Sequence, residues 1–401
     1  MTPKRRITAL VLLAGVFVME GYDLNAMALA VPRLEGALGL APTSFGFVFT
    51  ALLVGIGVGG AVLAPFGDRY GRRALIVAGC AATGLFTLAT TTASTVTAFF
   101  IWRALTGIAL GMALPNVSAL SAELAPDRLR ATIMAAVSAG IPLGLAIAGI
   151  FAPEVIALGG WQALFVVPGA FALGLALLLW LTLDPGLPAA RNNPGSGLPQ
   201  LALFRAPWLL PFSVFAAMLA INALNLYLLN SWLPTVLPQA GFSLDLGARI
   251  AGIVQFAGLG IGILASFGID RWRPSATLAL MFGAMAASFL AVSLSAPDAT
   301  RWTLLLSVGV GGASAGGMAL PALCAYLFPA RQLSSAIGMG VMVARLGAFA
   351  GPLVGQWILD AEGGPQAYFL AAAVPAILCA LIALAVPAAL AVRRREEATA
   401  S

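Results

Sequence analysis

Long apolar runs alternate with short polar segments along the whole chain. Twelve of these runs are long enough for an α-helix to cross a bilayer, which takes about 20 apolar residues. The pattern therefore predicts an all-α integral membrane protein with twelve transmembrane helices. The predicted spans cover residues 8–32, 45–66, 74–93, 97–119, 132–153, 162–183, 207–230, 248–268, 274–294, 302–327, 334–358 and 366–391.

The second half of the chain repeats polar features of the first half. Several positions recur at a displacement of 202 residues, and the pentapeptide at 111–115 recurs at 317–321. The positions paired in this way are Glu20 with Asn222, Asp23 with Asn225, Pro32 with Pro234, and Asp68-Arg69 with Asp270-Arg271. Such an ordered series predicts two pseudo-symmetric six-helix bundles. We place them at residues 1–183 and 207–401, joined by a cytoplasmic linker at 184–206 that is rich in Pro, Gly and Ser.

The composition excludes a soluble protein. Of 401 residues, 61% are hydrophobic and 9% are charged, which leaves too few polar side chains to cover a water-facing surface. Histidine is absent and the three cysteines lie singly within apolar runs, so zinc, haem, iron–sulfur and disulfide sites are disfavoured. We therefore expect no cofactor.

Basic residues are distributed unevenly between the predicted loops. With the N-terminus in the cytoplasm, 16 of the 21 Lys and Arg residues fall in cytoplasmic segments, including a short basic tail, and three fall outside. This bias predicts a bacterial inner-membrane protein with both termini in the cytoplasm, and it accounts for the net charge of +6 without a nucleic-acid partner. The first segment also resembles a cleavable signal peptide, but its repeat partner in the seventh span favours a permanent helix.

Two carboxylates lie near the middle of the first span. Glu20 and Asp23 are three residues apart, so they project from one face of the helix. An ionised carboxylate at that depth costs at least ~2.5–3.5 kcal/mol, so it faces a cavity, pairs with a cation or stays protonated. We interpret both as proton-coupling residues, because Asn222 and Asn225 keep the polarity at the repeated positions but discard the charge. A structural ion pair with an arginine of a neighbouring helix is the alternative.

Two arginines also lie within predicted spans. Arg103 belongs to the fourth span, and Arg345 lies close to the middle of the eleventh. A guanidinium presents a planar fork that suits a carboxylate. Each arginine could pair with Glu20 or Asp23 in the resting state, or bind an anionic substrate, and the two arrangements could alternate during transport.

Further polar side chains could contact a substrate. Asn222, Asn225 and Tyr227 make the seventh span unusually polar, and Tyr22 lies between the two carboxylates of the first span. Amides within a membrane also serve as hydrogen-bond donors between helices, which is the alternative for both asparagines. We predict that these four residues and the two arginines bind the substrate.

A charged loop joins the second and third spans. It carries the predicted gating residues Asp68, Arg69, Gly71, Arg72 and Arg73. One interpretation is a basic turn that merely satisfies the topology. The loop also resembles the cytoplasmic signature of the major facilitator superfamily, in which an aspartate contacts the neighbouring half and steadies the outward-open state. This resemblance implies the fold of that superfamily.

Within that superfamily, stretches over nearly the whole length resemble the aromatic acid:proton symporters. The resemblance is carried by Glu20-Gly21-Tyr22-Asp23, by Pro115-Asn116, Leu120, Glu123, Pro126 and Arg130, by Tyr227 with Ser231-Trp232-Leu233-Pro234-Thr235, and by Arg345-Leu346-Gly347 with Gly351-Pro352. It implicates Glu20 and Asp23 in proton coupling, Arg103 and Arg345 in handling substrate or protons, and Asp68 in gating. Some members use a histidine, which this chain lacks, so its carboxylates must titrate alone.

The resemblance implies proton-coupled uptake of small aromatic carboxylates, such as benzoates and hydroxybenzoates, by alternating access. The expected partners are that substrate, protons and the lipid bilayer, and we expect a monomer. A proton-driven drug or metabolite exporter on the same fold is the alternative, although Gly140-Ile141-Pro142 replaces the Gly-Pro pair usual in such exporters. A membrane-embedded enzyme or sensor is a more distant alternative, since no nucleophile, metal set or signalling domain is visible.

Overall fold

The described part of the chain forms fifteen α-helices and no strand. The computed structural model describes residues 3–126, 129–184, 203–361 and 363–400. The helices of the first half are α1 (Pro3–Leu38), α2 (Gly46–Val58), α3 (Phe66–Tyr70), α4 (Arg72–Thr90), α5 (Val96–Leu124), α6 (Arg130–Ser138), α7 (Gly140–Gly159) and α8 (Ala163–Thr182). Those of the second half are α9 (Leu209–Gln239), α10 (Leu244–Arg271), α11 (Pro274–Leu294), α12 (Ala299–Leu327), α13 (Ala330–Asp360), α14 (Gly364–Ala383) and α15 (Val386–Ala400).

Most of these helices can cross a membrane. By length and hydropathy, eleven helical segments of the described residues qualify. One of them, Ala136–Thr182, has 47 residues, and a 3₁₀ turn at Gly160–Gln162 divides it into α7 and α8, which have 20 residues each. This segment therefore supplies two crossings, and the twelve predicted spans and the predicted fold class are confirmed.

The span predicted at 45–66 ends in a π-helical segment at Gly59–Leu63 and a turn at 64–65, and two further predicted spans are also interrupted. The span predicted at 132–153 divides into α6 and α7 at Ala139, and the span predicted at 366–391 divides into α14 and α15 at residues 384–385. Proline explains both breaks, because Pro142 and Pro387 lie in the first turn of the following helix, where a missing N–H costs no hydrogen bond.

The chain separates into two compact units. The N-terminal unit comprises Met1–Pro194 with Ser243–Gly252, and the C-terminal unit comprises Gly195–Phe242 with Ile253–Ser401. Most of the predicted linker at 184–206 lies outside the described residues, so its bounds stay a prediction.

The first long helix of each half lies inside its unit. In the N-terminal unit α1 packs against α5, α7 and α8, and in the C-terminal unit α9 packs against α12, α13 and α14. Polar side chains on α1 and α9 are consequently buried among other helices. This position makes both helices suitable for carrying a functional site.

Both halves use the same close helix crossing. In the N-terminal unit, a Cβ added to Gly144 of α7 would lie 2.0 Å from the carbonyl oxygen of Val18 in α1. In the C-terminal unit, a Cβ added to Gly347 of α13 would lie 2.0 Å from the carbonyl oxygen of Ala220 in α9. Val18 and Ala220 are 202 residues apart, the displacement of the sequence repeat. The repeat is therefore also a repeat of packing, in which glycine lets two backbones touch.

Gly347→Ala should lower the free energy of unfolding by about 1–3 kcal/mol, because the new methyl group forces α13 away from α9. Gly338→Ala is the matched control in the same helix, since a Cβ there meets no atom within 4 Å. The measurement is the thermal unfolding midpoint of the purified protein in detergent. Equal unfolding midpoints for the two variants would contradict the close contact between α9 and α13 at Gly347.

Candidate substrate and proton site

A buried ion pair joins two helices of the N-terminal unit. Asp23 of α1 is 0% exposed and Arg103 of α5 is 1% exposed. Arg103 Nη1 donates to Asp23 Oδ1 at 2.9 Å, and Nη2 lies 2.8 Å from Oδ2. Nη2 also donates to the backbone carbonyl of Asp23 at 2.9 Å, and the Thr87 hydroxyl of α4 donates to Oδ1 at 3.0 Å. One carboxylate thus links three helices.

The bonding of this pair occupies the Arg103 guanidinium. The guanidinium lies within ion-pair distance of both carboxylate oxygens, and its hydrogen bonds go to Oδ1 and to the backbone carbonyl oxygen of Asp23. Together the two groups carry no net charge, which makes them tolerable at bilayer depth. Binding of substrate by Arg103 stays a prediction, and in this conformation it would require the pair with Asp23 to open.

Glu20 and Tyr22 lie within one turn of Asp23 on α1, and both are buried. The Tyr22 hydroxyl oxygen has no hydrogen-bond partner among the described residues. The hydrogen bonds of Arg103 go to Asp23 and not to Glu20. The two carboxylates that the sequence groups together therefore have different surroundings.

The repeat partners of these carboxylates bridge helices in the C-terminal unit. Asn222 donates from Nδ2 to the carbonyl oxygen of Ala313 in α12 at 3.0 Å. Asn225 donates from Nδ2 to the carbonyl oxygen of Ala372 in α14 at 3.0 Å. These bonds are the interhelical role that the sequence left open as the alternative. The buried Oδ1 atom of each asparagine has no partner among the described residues, so it can still accept a hydrogen bond.

A second polar cluster of the C-terminal unit was not predicted from the sequence. Gln255 of α10 donates from Nε2 to Asn230 Oδ1 at 2.9 Å and accepts from the Ser314 hydroxyl at 2.9 Å. The cluster joins α9, α10 and α12. The available signal was a lone amide in an otherwise apolar stretch of α10. Tyr227, three residues before Asn230, is half-buried on the same helix.

Arg345 differs from Arg103 in its position along the helix, in its burial and in its bonding. It lies midway along α13 and is half-buried. No hydrogen bond or ion pair links it to another described residue. A guanidinium at that depth is costly without an anion, and its role in binding the substrate stays a prediction.

Part of the predicted gating loop is held by α5 and α8. Gly71 separates α3 from α4 with a φ of 89°, a backbone conformation that favours glycine. Arg72 forms an ion pair with Glu123 of α5 at 2.5 Å, and Arg73 donates to the carbonyl oxygen of Trp180 in α8 at 2.6 Å. The loop is therefore attached to the remainder of its unit at both arginines.

The other two loop residues are Asp68 and Arg69. Arg69 is exposed, and its guanidinium carbon lies 5.4 Å from the centre of the Tyr70 ring. Asp68 belongs to α3, but its side chain lies outside the part of the chain that the structure describes. The gating role of Asp68 stays a prediction.

The Thr87 contact could not be predicted from the sequence, because threonine is common in membrane helices and bonds most often to its own backbone. Among the described residues, no group of three His, Cys, Asp or Glu side chains could hold a metal ion. The side chains described above supply carboxylates, guanidinium groups, amides and hydroxyls.

Arg103→Gln should lower the free energy of unfolding by about 3–5 kcal/mol, because it leaves Asp23 buried without its cation. The double variant Asp23→Asn/Arg103→Gln should lose less than the sum of the two single variants, since neither charge remains. Thermal unfolding of the four proteins in detergent measures this coupling, and Arg301→Gln on the exposed first turn of α12 is the control. If the double variant lost as much unfolding free energy as the two single variants together, the Asp23–Arg103 pair would not be a stabilising contact.

Three related proteins are transporters of aromatic acids. The chain is 32% identical to the 3-(3-hydroxy-phenyl)propionate transporter of Escherichia coli, over 96% of this chain and 95% of that protein. It is 28% identical to the 4-hydroxybenzoate transporter PcaK of Pseudomonas aeruginosa, over 92% and 90% of the two chains. It is also 28% identical to the gallate transporter of Pseudomonas putida, over 94% and 90%.

Solved transporter structures share the fold. A bacterial homologue of the human lysosomal transporter Spinster, in an inward-facing and occupied conformation, matches with a TM-score of 0.79 over 97% of this chain and 98% of that one, at 16% identity. The inward-open xylose transporter XylE of Escherichia coli matches with a TM-score of 0.72 over 94% and 95%, at 18% identity. At such identities these likenesses show the fold alone.

The sequence profile of the Major Facilitator Superfamily matches residues 11–325, which is more than half of the chain. The family and the relatives described above are transporters, so this chain is a multi-pass membrane transporter and not an enzyme. Its helical spans, its internal repeat and this match lead to one conclusion. The chain belongs to the Major Facilitator Superfamily.

Proposed function

We propose that the protein takes up small aromatic carboxylates together with protons by alternating access. The relatives supply the substrate class, since they transport 3-(3-hydroxy-phenyl)propionate, 4-hydroxybenzoate and gallate. The proposed protein is a monomer in the bacterial inner membrane with both termini in the cytoplasm. The distribution of basic residues supports this orientation of the termini.

The observation that best supports the proposal is that Arg345 has no anionic partner among the described residues. This arginine lies at mid-helix depth in α13, and the described residues offer it no carboxylate. A substrate carboxylate would provide the missing charge, with the planar fork of the guanidinium setting its orientation. Phenolic hydroxyl groups could donate to the free Oδ1 atoms of Asn222 and Asn225, which belong to the same unit as Arg345. Contact of Tyr22 with the substrate stays a prediction.

Proton coupling is assigned to the two carboxylates of α1. Asp23 already has a cation in Arg103, whereas Glu20 lies outside that pair. If Arg103 bound a substrate anion instead, Asp23 would lose its partner and would take up a proton. Substrate entry and proton entry would then be linked through the same guanidinium group.

Uptake of a labelled panel of benzoates and hydroxybenzoates into proteoliposomes, with and without a pH gradient acid outside, tests the function. Accumulation should depend on the gradient. Arg345→Lys keeps the charge but loses the two-point contact, so it should raise KM by about tenfold. Arg301→Lys is the control. Unchanged KM in Arg345→Lys would remove the substrate anchor from the proposal, and a lack of gradient-driven uptake over the panel would remove the proposed function.

Glu20→Gln should abolish accumulation driven by the pH gradient while leaving exchange of labelled for unlabelled substrate, because exchange needs no net proton movement. The two assays on one preparation separate a coupling residue from a folding defect. Asp23→Asn needs the same comparison together with its unfolding midpoint, since it also breaks the pair with Arg103. Accumulation at the wild-type level in Glu20→Gln would show that this residue does not carry the proton.

A further inference from the structure

A cavity of about 380 Å³ opens in the C-terminal unit, away from the polar residues described above. Its walls come from the end of α10, the start of α11, the end of α12 and the terminal helix α15. The lining residues that matter chemically are Asp270, Trp272, Tyr326, Leu390, Arg393 and Arg394. All of these helix ends meet on the side of the membrane that carries the C-terminus.

The charge of this cavity favours an anion. Two arginines and one aspartate line it, and the Asp270 carboxylate already accepts a hydrogen bond from the Tyr326 hydroxyl at 2.7 Å. Arg393 donates from Nη1 to the carbonyl oxygens of Ala325 and Tyr326, which end α12. The next residue, Arg394, is exposed, and no hydrogen bond or ion pair joins it to a side chain that the structure describes.

The surroundings of the cavity are those of a membrane surface. The Trp272 side chain is 70% exposed at the end of α10, and tryptophan is typical of the level of lipid headgroups. On α10, Leu264 and Phe267 are exposed within two turns of the cavity, and on α14 the side chain of Leu381 is exposed. Exposed apolar side chains on membrane helices face acyl chains, so a lipid lying here would have both its tails and its headgroup accommodated.

Three arginines besides Arg393 and Arg394 lie close in sequence to the lining residues, at positions 271, 273 and 395. Residues 271–273 and 393–395 contain five arginines between them. Basic clusters at the cytoplasmic end of membrane helices attract anionic lipids, and basic pockets between such helices bind their headgroups. A soluble phosphate compound has the same anionic chemistry, but it would not use the apolar surface next to the cavity.

We propose that the cavity lined by Trp272, Tyr326, Arg393 and Arg394 binds the phosphodiester headgroup of an anionic phospholipid. Arg394 provides the cation, and Trp272 lies at the boundary between headgroup and acyl chains. The site is separate from the transport residues and depends on the proposed function only for the assignment of the leaflet, which is the cytoplasmic one.

The test uses the purified full-length protein in nanodiscs of phosphatidylcholine with or without phosphatidylglycerol, one lipid at a time carrying brominated acyl chains. The quenching of Trp272 alone is obtained by subtracting the fluorescence quenching of the Trp272→Phe variant from that of the wild-type protein. We expect brominated phosphatidylglycerol to quench Trp272 more strongly than brominated phosphatidylcholine. Arg394→Gln should reduce that preference by more than the roughly fivefold loss that diffuse attraction gives for any one basic residue near a lipid surface, because it also removes a cation that lines the cavity.

Arg395→Gln is the matched control, because it removes the same charge from the same helix without lining the cavity. Equal losses in Arg394→Gln and Arg395→Gln would overturn the proposal, since diffuse attraction would then account for the preference. Equal quenching by the two lipids in the wild-type protein would also overturn it. Arg393→Gln is avoided as the main variant because Arg393 caps α12.

Two further measurements distinguish a bound lipid from a bound soluble anion, and the lipid site from transport. Millimolar inorganic phosphate should leave the quenching by brominated phosphatidylglycerol unchanged. If phosphate abolished this quenching, the cavity would bind a soluble anion instead. Aromatic acid uptake by the same preparations is measured in parallel. A wild-type protein that fails to transport but keeps the lipid preference would refute the proposed function and leave the lipid site standing.

Discussion

A charged side chain inside a bilayer is costly unless an opposite charge or a water-filled cavity lies beside it, and the N-terminal unit contains one buried pair of opposite charges. Arg103 of α5 meets Asp23 of α1 through a two-point contact, and Thr87 of α4 bonds the same carboxylate. Loss of one charge leaves the other buried at a cost of about 3–5 kcal/mol. Any movement that opens this pair therefore needs a replacement partner, such as a proton for the aspartate or a substrate anion for the arginine.

The C-terminal unit repeats the packing of the N-terminal unit but not its charges. Gly144 and Gly347 support equivalent helix crossings, whereas Asn222 and Asn225 replace the two carboxylates and donate to backbone carbonyls. A carboxylate has no N–H with which to make those bonds. The close helix crossing is therefore preserved between the two halves, whereas the polar side chains of the first helix have diverged.

Much of the fold could be predicted, because bilayer thickness imposes one length on every span and hydropathy is a local property of the sequence. Interruptions of the helices were harder to predict, since an apolar run looks alike on both sides of a break such as Ala139. Pro142 and Pro387 were the signals available for the two breaks. Gln255 was missed because a single amide says nothing about the side chains it will meet.

The number of spans, the internal repeat and the depth of the carboxylates and arginines could all be read from the order of residues, because each depends on position along the chain. That order left three partners open for Arg103, namely Glu20, Asp23 and a substrate. The choice of Asp23 became visible in the folded protein, where residues 80 positions apart meet through the packing of α1, α4 and α5. Partner choice depends on distances between helices, and those distances are set by the packing of the whole unit.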